Sequence, residues 1–444
     1  MSLATLDAWA AERLGLPQPL TRATLQAAQL ARLRETIAYA RGASPFYRAR
    51  RDWPEVEIAA PEDVARLPFT TAADLARADP PLLALSQGAA ARVVTLESSG
   101  TSGPPKRLHF TAEEKEATVD FFHHGMAQFT RPGDRVAIAF PGERPGGVGD
   151  GLAVALRRLG AAPLHAPSPF DPASLVAWLR AARPEVVAGP PVPLLAAARL
   201  AASDGGAPIH ARAALLSADH AAESLAQSLA AAWGAEVFRH WGMTETGYGG
   251  AVECAFHCGC HLRENALYVE VVDPETGAPA PAGALGEVVV STLGRRAVPL
   301  VRYRTGDLAR LIDEPCRCGS VLRRLDGFSG RLGESAKLPG GVTVTLPLLD
   351  EALFSLEAVS DFVAEIDLGP PAALRLSIAA PAPARSAATL DAARARLAAD
   401  PTLGGALRGG ALRVEAAFAD AVLCRHGAKR RLLMREEARC ARCC

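Results

Sequence analysis

The sequence contains four short apolar runs separated by helical stretches: RVAIAF at residues 135–140, AAPLH at 161–165, VVAG at 186–189 and AALL at 213–216. Short apolar strands that alternate with helices are typical of a parallel sheet covered by helices on both faces. From about residue 266 the pattern changes to alternating strands joined by turn residues, LYVEVVD at 267–273 and GEVVVSTL at 286–293. The sequence therefore predicts an α/β fold with a β-rich part after residue 266.

The segments before and after this region predict further helices and strands. Residues 21–41 carry apolar side chains at three- and four-residue spacing, which predicts a helix. Residues 91–96 (ARVVTL) predict a strand that runs directly into a turn-rich loop. After Gly330, strand candidates lie around helices and predict a smaller α+β domain: VTVTL, FVAEIDL, LRLSIA and LRVEAAFA. The predicted domains are residues 1–329 and 330–444.

The composition is that of a folded protein. The 444 residues are 49% hydrophobic and 22% charged, and 48 basic residues balance 48 acidic ones. This balance argues against broad electrostatic binding of nucleic acid. No stretch approaches the ~20 consecutive apolar residues of a membrane span, and the N-terminus lacks the pattern of a secretory signal. We therefore expect a cytoplasmic protein without nucleic-acid or membrane partners.

A loop rich in hydroxyls and glycines follows the strand at 91–96: Ser98-Ser99-Gly100-Thr101-Ser102-Gly103-Pro104-Pro105-Lys106. Hydroxyls and backbone amides on such a loop can wrap phosphate oxygens, and a lysine adds a positive charge. The loop lacks the spacing of a Walker A motif. Taken alone, this composition is more often an ordinary linker, so the phosphate-binding interpretation depends on two further motifs.

These motifs are RHWGMTE at 239–245, after a strand-like stretch, and RYRTGD at 302–307, after the LGEVVVSTL strand. With the 98–106 loop they resemble, in order and spacing, the ATP site of the adenylate-forming superfamily. ARLRETIAYARGASPFYRAR at 31–50, LPFTTAADLA at 67–76 and PCRCGSVLRRLDGFSGR at 315–331 narrow the resemblance to its phenylacetate–CoA ligase branch. This branch implies a large N-terminal adenylate-forming domain, with helix-covered parallel sheets and a β-rich subdomain. It also implies a small mobile α+β C-terminal domain.

The resemblance implies a role for each motif residue. Ser98, Ser99, Gly100, Thr101, Ser102, Gly103 and Lys106 would hold the β- and γ-phosphates of ATP. Trp241, followed by Gly242, would lie against adenine. Thr244 would contact the α-phosphate, and Glu245 would help to hold Mg²⁺. Asp307 would accept hydrogen bonds from the ribose hydroxyls, and Arg331 would also reach the ribose.

The implied activity is that of an AMP-forming acid–CoA ligase acting on an aryl or small organic acid. The acid's carboxylate attacks the α-phosphorus of ATP and pyrophosphate leaves, so the protein supplies positioning and charge rather than a nucleophile. Coenzyme A then takes the acyl group as a thioester. Two alternatives stay open: a cofactor adenylyltransferase without the CoA step, and a nucleotide-binding protein without turnover. The identity of the acid and the oligomeric state, with a homodimer as one option, also stay open.

Several positions depart from the pattern of the branch. Pro104 stands where lysine is frequent, and the hinge segment GRLGE at 330–334 lacks the usual aspartate after its arginine. In CRHGAKR at 424–430 the lysine comes one residue late, so Lys429 is the candidate catalytic lysine in a shifted register. The glycine-rich stretch PGERPGGVG at 141–149 either lines the acyl pocket or forms a surface loop.

All nine cysteines lie at or after Cys254, and several of them predict a metal site. Thiolates combined with imidazole suit tetrahedral Zn²⁺. From the similar arrangement in ligase relatives, the candidate ligands of a closed structural site are Cys254, His261, Cys316 and Cys318. Buried reduced cysteines or an iron–sulfur cluster are alternatives, and the nearby His257, Cys258 and Cys260 leave the ligand set open. Cys440, Cys443 and Cys444 are predicted to form a solvated tail, with a metal- or redox-active end as the alternative.

Overall fold

The computed structural model describes residues 6–55, 57–77, 79–96, 106–141, 146–167, 171–338, 340–419 and 430–435. Several residues that the sequence singles out lie outside these ranges: Ser98, Ser99, Gly100, Thr101, Ser102, Gly103, Lys429, Cys440, Cys443 and Cys444. No helix among the described residues is long and apolar enough to cross a bilayer.

The described helices are, in chain order, α1 Leu6–Leu14, α2 Arg22–Ala43, α3 Pro45–Ala49, α4 Pro61–Val64, α5 Ala72–Ala76, α6 Ala112–Met126, α7 Val148–Arg158, α8 Pro172–Ala182, α9 Pro191–Ser203, α10 Glu223–Trp233, α11 Leu346–Phe354, α12 Ala387–Ala399 and α13 Leu403–Arg408. The predicted helix over 21–41 is confirmed as α2. It begins at Arg22 because the Thr21 hydroxyl accepts a hydrogen bond from the Thr24 N–H and caps the first turn.

The described strands are, in chain order, β1 Arg92–Leu96, β2 Lys106–Phe110, β3 Arg135–Ile138, β4 Ala162–His165, β5 Val186–Gly189, β6 Ala213–Leu216, β7 Glu236–Trp241, β8 Ala251–Glu253, β9 Cys260–Leu262, β10 Leu267–Val272, β11 Leu285–Thr292, β12 Tyr303–Ile312, β13 Arg324–Asp326, β14 Ser335–Lys337, β15 Thr343–Thr345, β16 Asp361–Asp367, β17 Ala372–Ala379, β18 Leu412–Phe418 and β19 Leu433–Met434. The strands predicted at 91–96, 135–140, 161–165, 186–189 and 213–216 are confirmed as β1 and β3–β6.

The chain divides into two compact units that each combine segments distant in sequence. The first contains Met1–Phe129, Arg144–Leu159 and His240–Phe328, and the second contains Thr130–Glu143, Gly160–Arg239 and Ser329–Cys444. The predicted domain boundary at residue 330 stays a prediction.

The first unit is built around antiparallel strands. The last two residues of β7 pair with β8, and β9, β13, β12, β11 and β10 follow in that order. Cross-strand pairs of buried valines stabilise this sheet: Val269 lies opposite Val290, and Val271 lies opposite Val288. This is the β-rich part that the sequence predicts. In the same unit, β1 and β2 form an antiparallel pair in which Leu96 lies opposite Lys106.

The second unit contains the predicted parallel sheet, in the order β4-β3-β5-β6-β7. Every residue of β5 and β6 is buried, as expected for strands covered on both faces. The chain after residue 330 adds a four-stranded sheet, β18-β17-β16-β19, with α11, α12 and α13. There the Glu351 carboxylate accepts hydrogen bonds from the N–H groups of Glu223 and Ser224, and so caps α10.

Candidate nucleotide site and metal cluster

The end of strand β7 turns sharply at Gly242. A Cβ at this position would lie 2.7 Å from the Tyr248 carbonyl oxygen, so the turn accepts only glycine. A short 3₁₀ turn follows at Thr244–Thr246, where the Thr246 hydroxyl accepts from the Met243 N–H and donates to the Met243 carbonyl. This local geometry places Thr244 and Glu245 directly after the strand, with Glu245 almost fully buried.

Trp241 and Asp307 lie side by side. The indole Nε1–H of Trp241 donates to Asp307 Oδ2 at 3.0 Å, and the indole ring stacks on Phe328 with centroids 6.5 Å apart. Asp307 is positioned by the sequence around it, because Gly306 has a left-handed φ of +79° and donates its N–H to Glu287 at 3.0 Å. The residues expected at adenine and at ribose are therefore neighbours, although they are 66 residues apart.

The Glu245 carboxylate is held by two further side chains. Lys106 Nζ lies 3.3 Å from Glu245 Oε1, and the Tyr303 hydroxyl donates to the same oxygen at 3.2 Å. The Arg295 guanidinium donates to the Glu245 backbone carbonyl. Glu245 is only 4% exposed, so these contacts lie in a medium where charge interactions are stronger than in water.

The LPFTT segment at residues 67–71 packs against the RYRTGD motif at 302–307. Thr70 exchanges backbone hydrogen bonds with the motif, since its N–H donates to the Arg302 carbonyl and its carbonyl accepts from the Arg304 N–H. Arg302 has a left-handed φ of +47°, and its buried guanidinium donates to the carbonyls of Ala65 and Leu67. A strained backbone kept by this many contacts is typical of a functional segment.

His240 precedes Trp241 and is packed against an aromatic ring. Its imidazole centroid lies 5.9 Å from that of Phe121, at an angle of 48°. Burial lowers the pKa of His240 to about 4. The imidazole is therefore neutral at physiological pH, beside the residues expected to bind nucleotide.

The predicted ligands Cys254, His261, Cys316 and Cys318 converge in the first unit. Their ligand atoms all lie within 4.8 Å of one another, and three of the four residues are buried. Cys254 Sγ is 3.7 Å from Cys316 Sγ, and Cys318 Sγ is 3.4 Å from His261 Nε2. Zn–S bonds of about 2.3 Å and Zn–N bonds of about 2.0 Å give tetrahedral edges of roughly 3.8 and 3.5 Å, so these separations suit zinc.

Of the extra candidate ligands, Cys258 lies beside this cluster, and His257 faces a carboxylate. Cys258 Sγ is 3.4 Å from Cys316 Sγ, whereas His257 Nδ1 faces Glu253 Oε2 at 3.4 Å. Burial raises the pKa of the Cys254 thiol to about 12 and lowers that of His261. A bound cation would offset this cost, because it stabilises the thiolate directly.

Comparisons with known proteins show the family of this chain. The AMP-binding enzyme family model matches residues 83–294. The phenylacetate–coenzyme A ligase of Thermus thermophilus is 31% identical over 73% of this chain and 74% of its own length. The chain belongs to the phenylacetate–CoA ligase family. Ligases of this family are AMP-forming, pass through an acyl-adenylate and end in a CoA thioester, and that is the class of reaction of this chain.

Further relatives extend the similarity. The phenylacetate–coenzyme A ligase of Pseudomonas putida is 29% identical over 75% of this chain and 76% of its own length. A crystal structure of 2-hydroxyisobutyryl-CoA ligase in the postadenylation state, in complex with 2-HIB-AMP, has a TM-score of 0.79 at 23% identity. It covers 96% of this chain and 95% of that one. This second likeness shows the fold.

Most of the motif residues lie in the same unit of the chain. Lys106, Trp241, Gly242, Thr244, Glu245 and Asp307 all belong to the first unit, whereas Arg331 belongs to the second and its role at the ribose stays a prediction. Sequence reasoning assigned no role to Tyr303, Arg295 or Phe328. Tyr303 lies inside the RYRTGD motif, so the sequence could have pointed to it as a site residue. No local pattern in the sequence indicates that Arg295 or Phe328 belongs to the site.

Proposed function

We propose that this ligase activates an aryl or small organic acid with MgATP in the cytoplasm, using the residues around Glu245 and Asp307. The observation that carries the proposal is the meeting of three distant motifs at two contacts, Lys106 with Glu245 and Trp241 with Asp307. Trp241 offers a flat face to adenine, and Asp307 offers carboxylate oxygens to the ribose hydroxyls. Thr244 begins the turn that carries Glu245, where the α-phosphate would lie.

The reaction needs two displacements. A carboxylate oxygen of the acid attacks the α-phosphorus, and the bond to pyrophosphate breaks. The CoA sulfur then attacks the acyl carbon, and AMP leaves. Lys106 would offset the charge of the departing phosphates, which is the main contribution a protein can make to such a transfer.

Glu245 is a suitable Mg²⁺ ligand. Magnesium prefers carboxylate and phosphate oxygens, and it is held by one or two carboxylates together with the substrate's phosphates. Glu245 Oε1 already accepts from Lys106 and Tyr303, so the carboxylate is fixed before a metal arrives. When bound, the ion would supply positive charge to the phosphate oxygens.

Cys254, His261, Cys316 and Cys318 form the proposed zinc site. Three thiols and one imidazole at tetrahedral separations form a closed set without a position for substrate, which is the pattern of a structural rather than a catalytic zinc. The site would link β9 and the loop between β8 and β9 to the loop that precedes β13, all within the first unit.

The small domain beyond residue 330 would supply Lys429 to the adenylation step. Lys429→Ala should slow adenylate formation by ~10²-fold, as for the loss of one positioned charge. Thioester formation from a supplied acyl-adenylate should change much less. An equal loss in both half-reactions would indicate a folding defect, and no loss in either would exclude this role.

The test is pyrophosphate release over a panel of aryl and short aliphatic acids, with and without CoA. Acid-dependent release followed by thioester formation would support the proposal. Release without a thioester would favour a cofactor adenylyltransferase. ATP binding without release would favour a non-catalytic nucleotide-binding protein.

A further inference from the structure

Arg295 is buried beside the turn that carries Glu245. It lies in the loop between β11 and β12, and its Nη1 group donates to the Glu245 backbone carbonyl. Its guanidinium lies over the ring of Phe110, 4.6 Å from the centroid, and the residue is only 8% exposed. Arg295 therefore ties this loop and the end of β2 to the main chain of the candidate Mg²⁺ ligand.

Packing alone does not account for an arginine at this position. Within the described part of the chain, neither Nε nor Nη2 of Arg295 makes a hydrogen bond, although both atoms are buried. Glu114 Oε2 lies 4.0 Å from Nε, which is too far for a hydrogen bond. Burial lowers the pKa of Arg295. A methionine could cover Phe110 without the cost of a buried charge and two unmade hydrogen bonds.

The contact with Arg295 differs in kind from the other contacts of Glu245. Lys106 and Tyr303 both contact the carboxylate, at the same oxygen. Under the proposed function Lys106 turns toward the phosphates of ATP, so its contact with the carboxylate weakens when substrate binds. Arg295 contacts the main chain instead, and this contact can persist while the carboxylate exchanges a lysine for a metal ion.

We propose that Arg295 is a positioning residue, which fixes the main chain of Glu245 so that the carboxylate meets the Mg²⁺ of MgATP. This inference rests on the proposed function, which assigns Glu245 to Mg²⁺. The charge of Arg295 by itself acts in the opposite direction, because a cation near the carboxylate repels Mg²⁺. Removal of Arg295 should therefore weaken Mg²⁺ binding if the residue positions Glu245, and strengthen it if only its charge matters.

The experiment measures ATP affinity by titration calorimetry, once with Mg²⁺ and once with EDTA. The ratio of the two association constants is the Mg²⁺ factor. Arg295→Met should lower this factor by about 10-fold, the effect of one hydrogen bond, and leave the affinity in EDTA unchanged. Arg295→Lys should give an intermediate factor, because lysine keeps an N–H donor on a shorter side chain.

Arg296→Met is the matched control. Arg296 is the exposed neighbour of Arg295, and its guanidinium lies over the ring of Tyr39, 4.4 Å from the centroid. The substitution removes the same charge from the same kind of aromatic contact, and the Mg²⁺ factor should not change. Denaturant unfolding of each variant shows that it is folded. If Arg295→Met does not fold, a wild-type factor in Arg295→Lys overturns the inference.

Glu245→Gln connects the test to the metal. It should lower the Mg²⁺ factor, and adding Arg295→Met to it should lower the factor no further, because both substitutions act through one carboxylate. An unchanged or larger factor in Arg295→Met, or equal losses with Mg²⁺ and EDTA, would overturn the inference alone. A wild-type factor in Glu245→Gln would instead defeat the assignment of Glu245 to Mg²⁺ in the proposed function.

Discussion

The metal cluster and the nucleotide site are both assembled from distant parts of one unit, but their side chains are engaged differently. In the cluster, Cys254, His261, Cys316 and Cys318 face one another and suit a single ion. In the nucleotide site, the expected binding residues hold each other in pairs, Trp241 with Asp307 and Lys106 with Glu245. The four ligand atoms of the cluster lie close enough to share one cation, whereas the residues expected to bind nucleotide already contact one another.

This difference indicates how each region contributes. Under the zinc proposal, the ion stabilises the fold, so the loss of one ligand should lower the free energy of unfolding. Binding residues that are already paired are held in position before substrate arrives, so their loss should be felt in affinity and rate. Substitutions in the metal cluster should therefore lower mainly the stability of the fold, and substitutions in the nucleotide site should lower mainly ATP affinity and reaction rate.

The largest expected effect is at the metal cluster. Cys316→Ser should abolish binding of about one zinc per chain and lower the free energy of unfolding by roughly 5 kcal/mol. Elemental analysis and denaturant unfolding measure both quantities. Cys258→Ser is the matched control, since its thiol lies 3.4 Å from Cys316 but outside the four-ligand group. Metal-free wild-type protein of full stability would refute the site, and bound iron would replace zinc in the assignment.

The next effect is at the ribose. Asp307→Ala should weaken ATP binding by roughly 2 to 4 kcal/mol, because two charge-assisted hydrogen bonds are lost. The unfolding free energy should change much less than in Cys316→Ser. Titration calorimetry with ATP measures the loss, and Asp326→Ala, an exposed aspartate on the neighbouring β13, should bind ATP normally. Unchanged affinity in folded Asp307→Ala would show that the motif has been misassigned.

A third effect concerns pH and the buried His240. Its pKa is about 4 in the folded chain and about 6.5 when unfolded. The contribution of His240 to the free energy of unfolding is therefore fully present above pH 6.5 and is lost as the pH falls toward 4. Between pH 7 and 5 this residue should account for roughly 2 kcal/mol of lost stability. In His240→Gln that contribution should vanish, whereas the exposed His165→Gln should keep the wild-type profile. Denaturant unfolding at pH 7 and pH 5 measures the loss of stability in each protein. An equal loss in the wild type and both variants would contradict the prediction.

The smallest effect is at the adenine contact. Trp241→Phe keeps an aromatic face but removes the N–H that bonds to Asp307, and should weaken ATP binding by about 1 kcal/mol. Trp178→Phe, far from the motif in sequence and half-buried, should bind ATP as the wild type does. A loss as large as that of Asp307→Ala would mean that the indole does more than orient the carboxylate.

The sequence predicted the elements whose pattern is local. Helix α2, the four parallel strands and the β-rich sheet follow from apolar spacing, which reports directly on burial. Residue type and the resemblance to known ligases predicted the candidate metal ligands, and the structure brings Cys254, His261, Cys316 and Cys318 together. That they bind zinc stays a prediction. Family motifs likewise singled out Trp241, Glu245 and Asp307 as candidates, and their roles at the nucleotide stay predictions.

The remaining features depend on contacts that no local pattern encodes. Lys106 and Glu245 are 139 residues apart, and their pairing follows from the completed fold. The left-handed backbone of Arg302 is unexpected for a non-glycine residue and is retained by its contacts with Ala65, Leu67 and Glu270.

The Lys106–Glu245 ion pair also bears on how the site responds to salt. A basic phosphate site without a counter-charge attracts nucleotide over a long range, and this attraction weakens as ionic strength rises. Here the lysine's charge is balanced by an almost fully buried carboxylate at 3.3 Å. Because the ion pair itself carries little net charge, we expect it to exert only a weak long-range attraction on the MgATP dianion. Its affinity should therefore vary only weakly between dilute buffer and physiological salt.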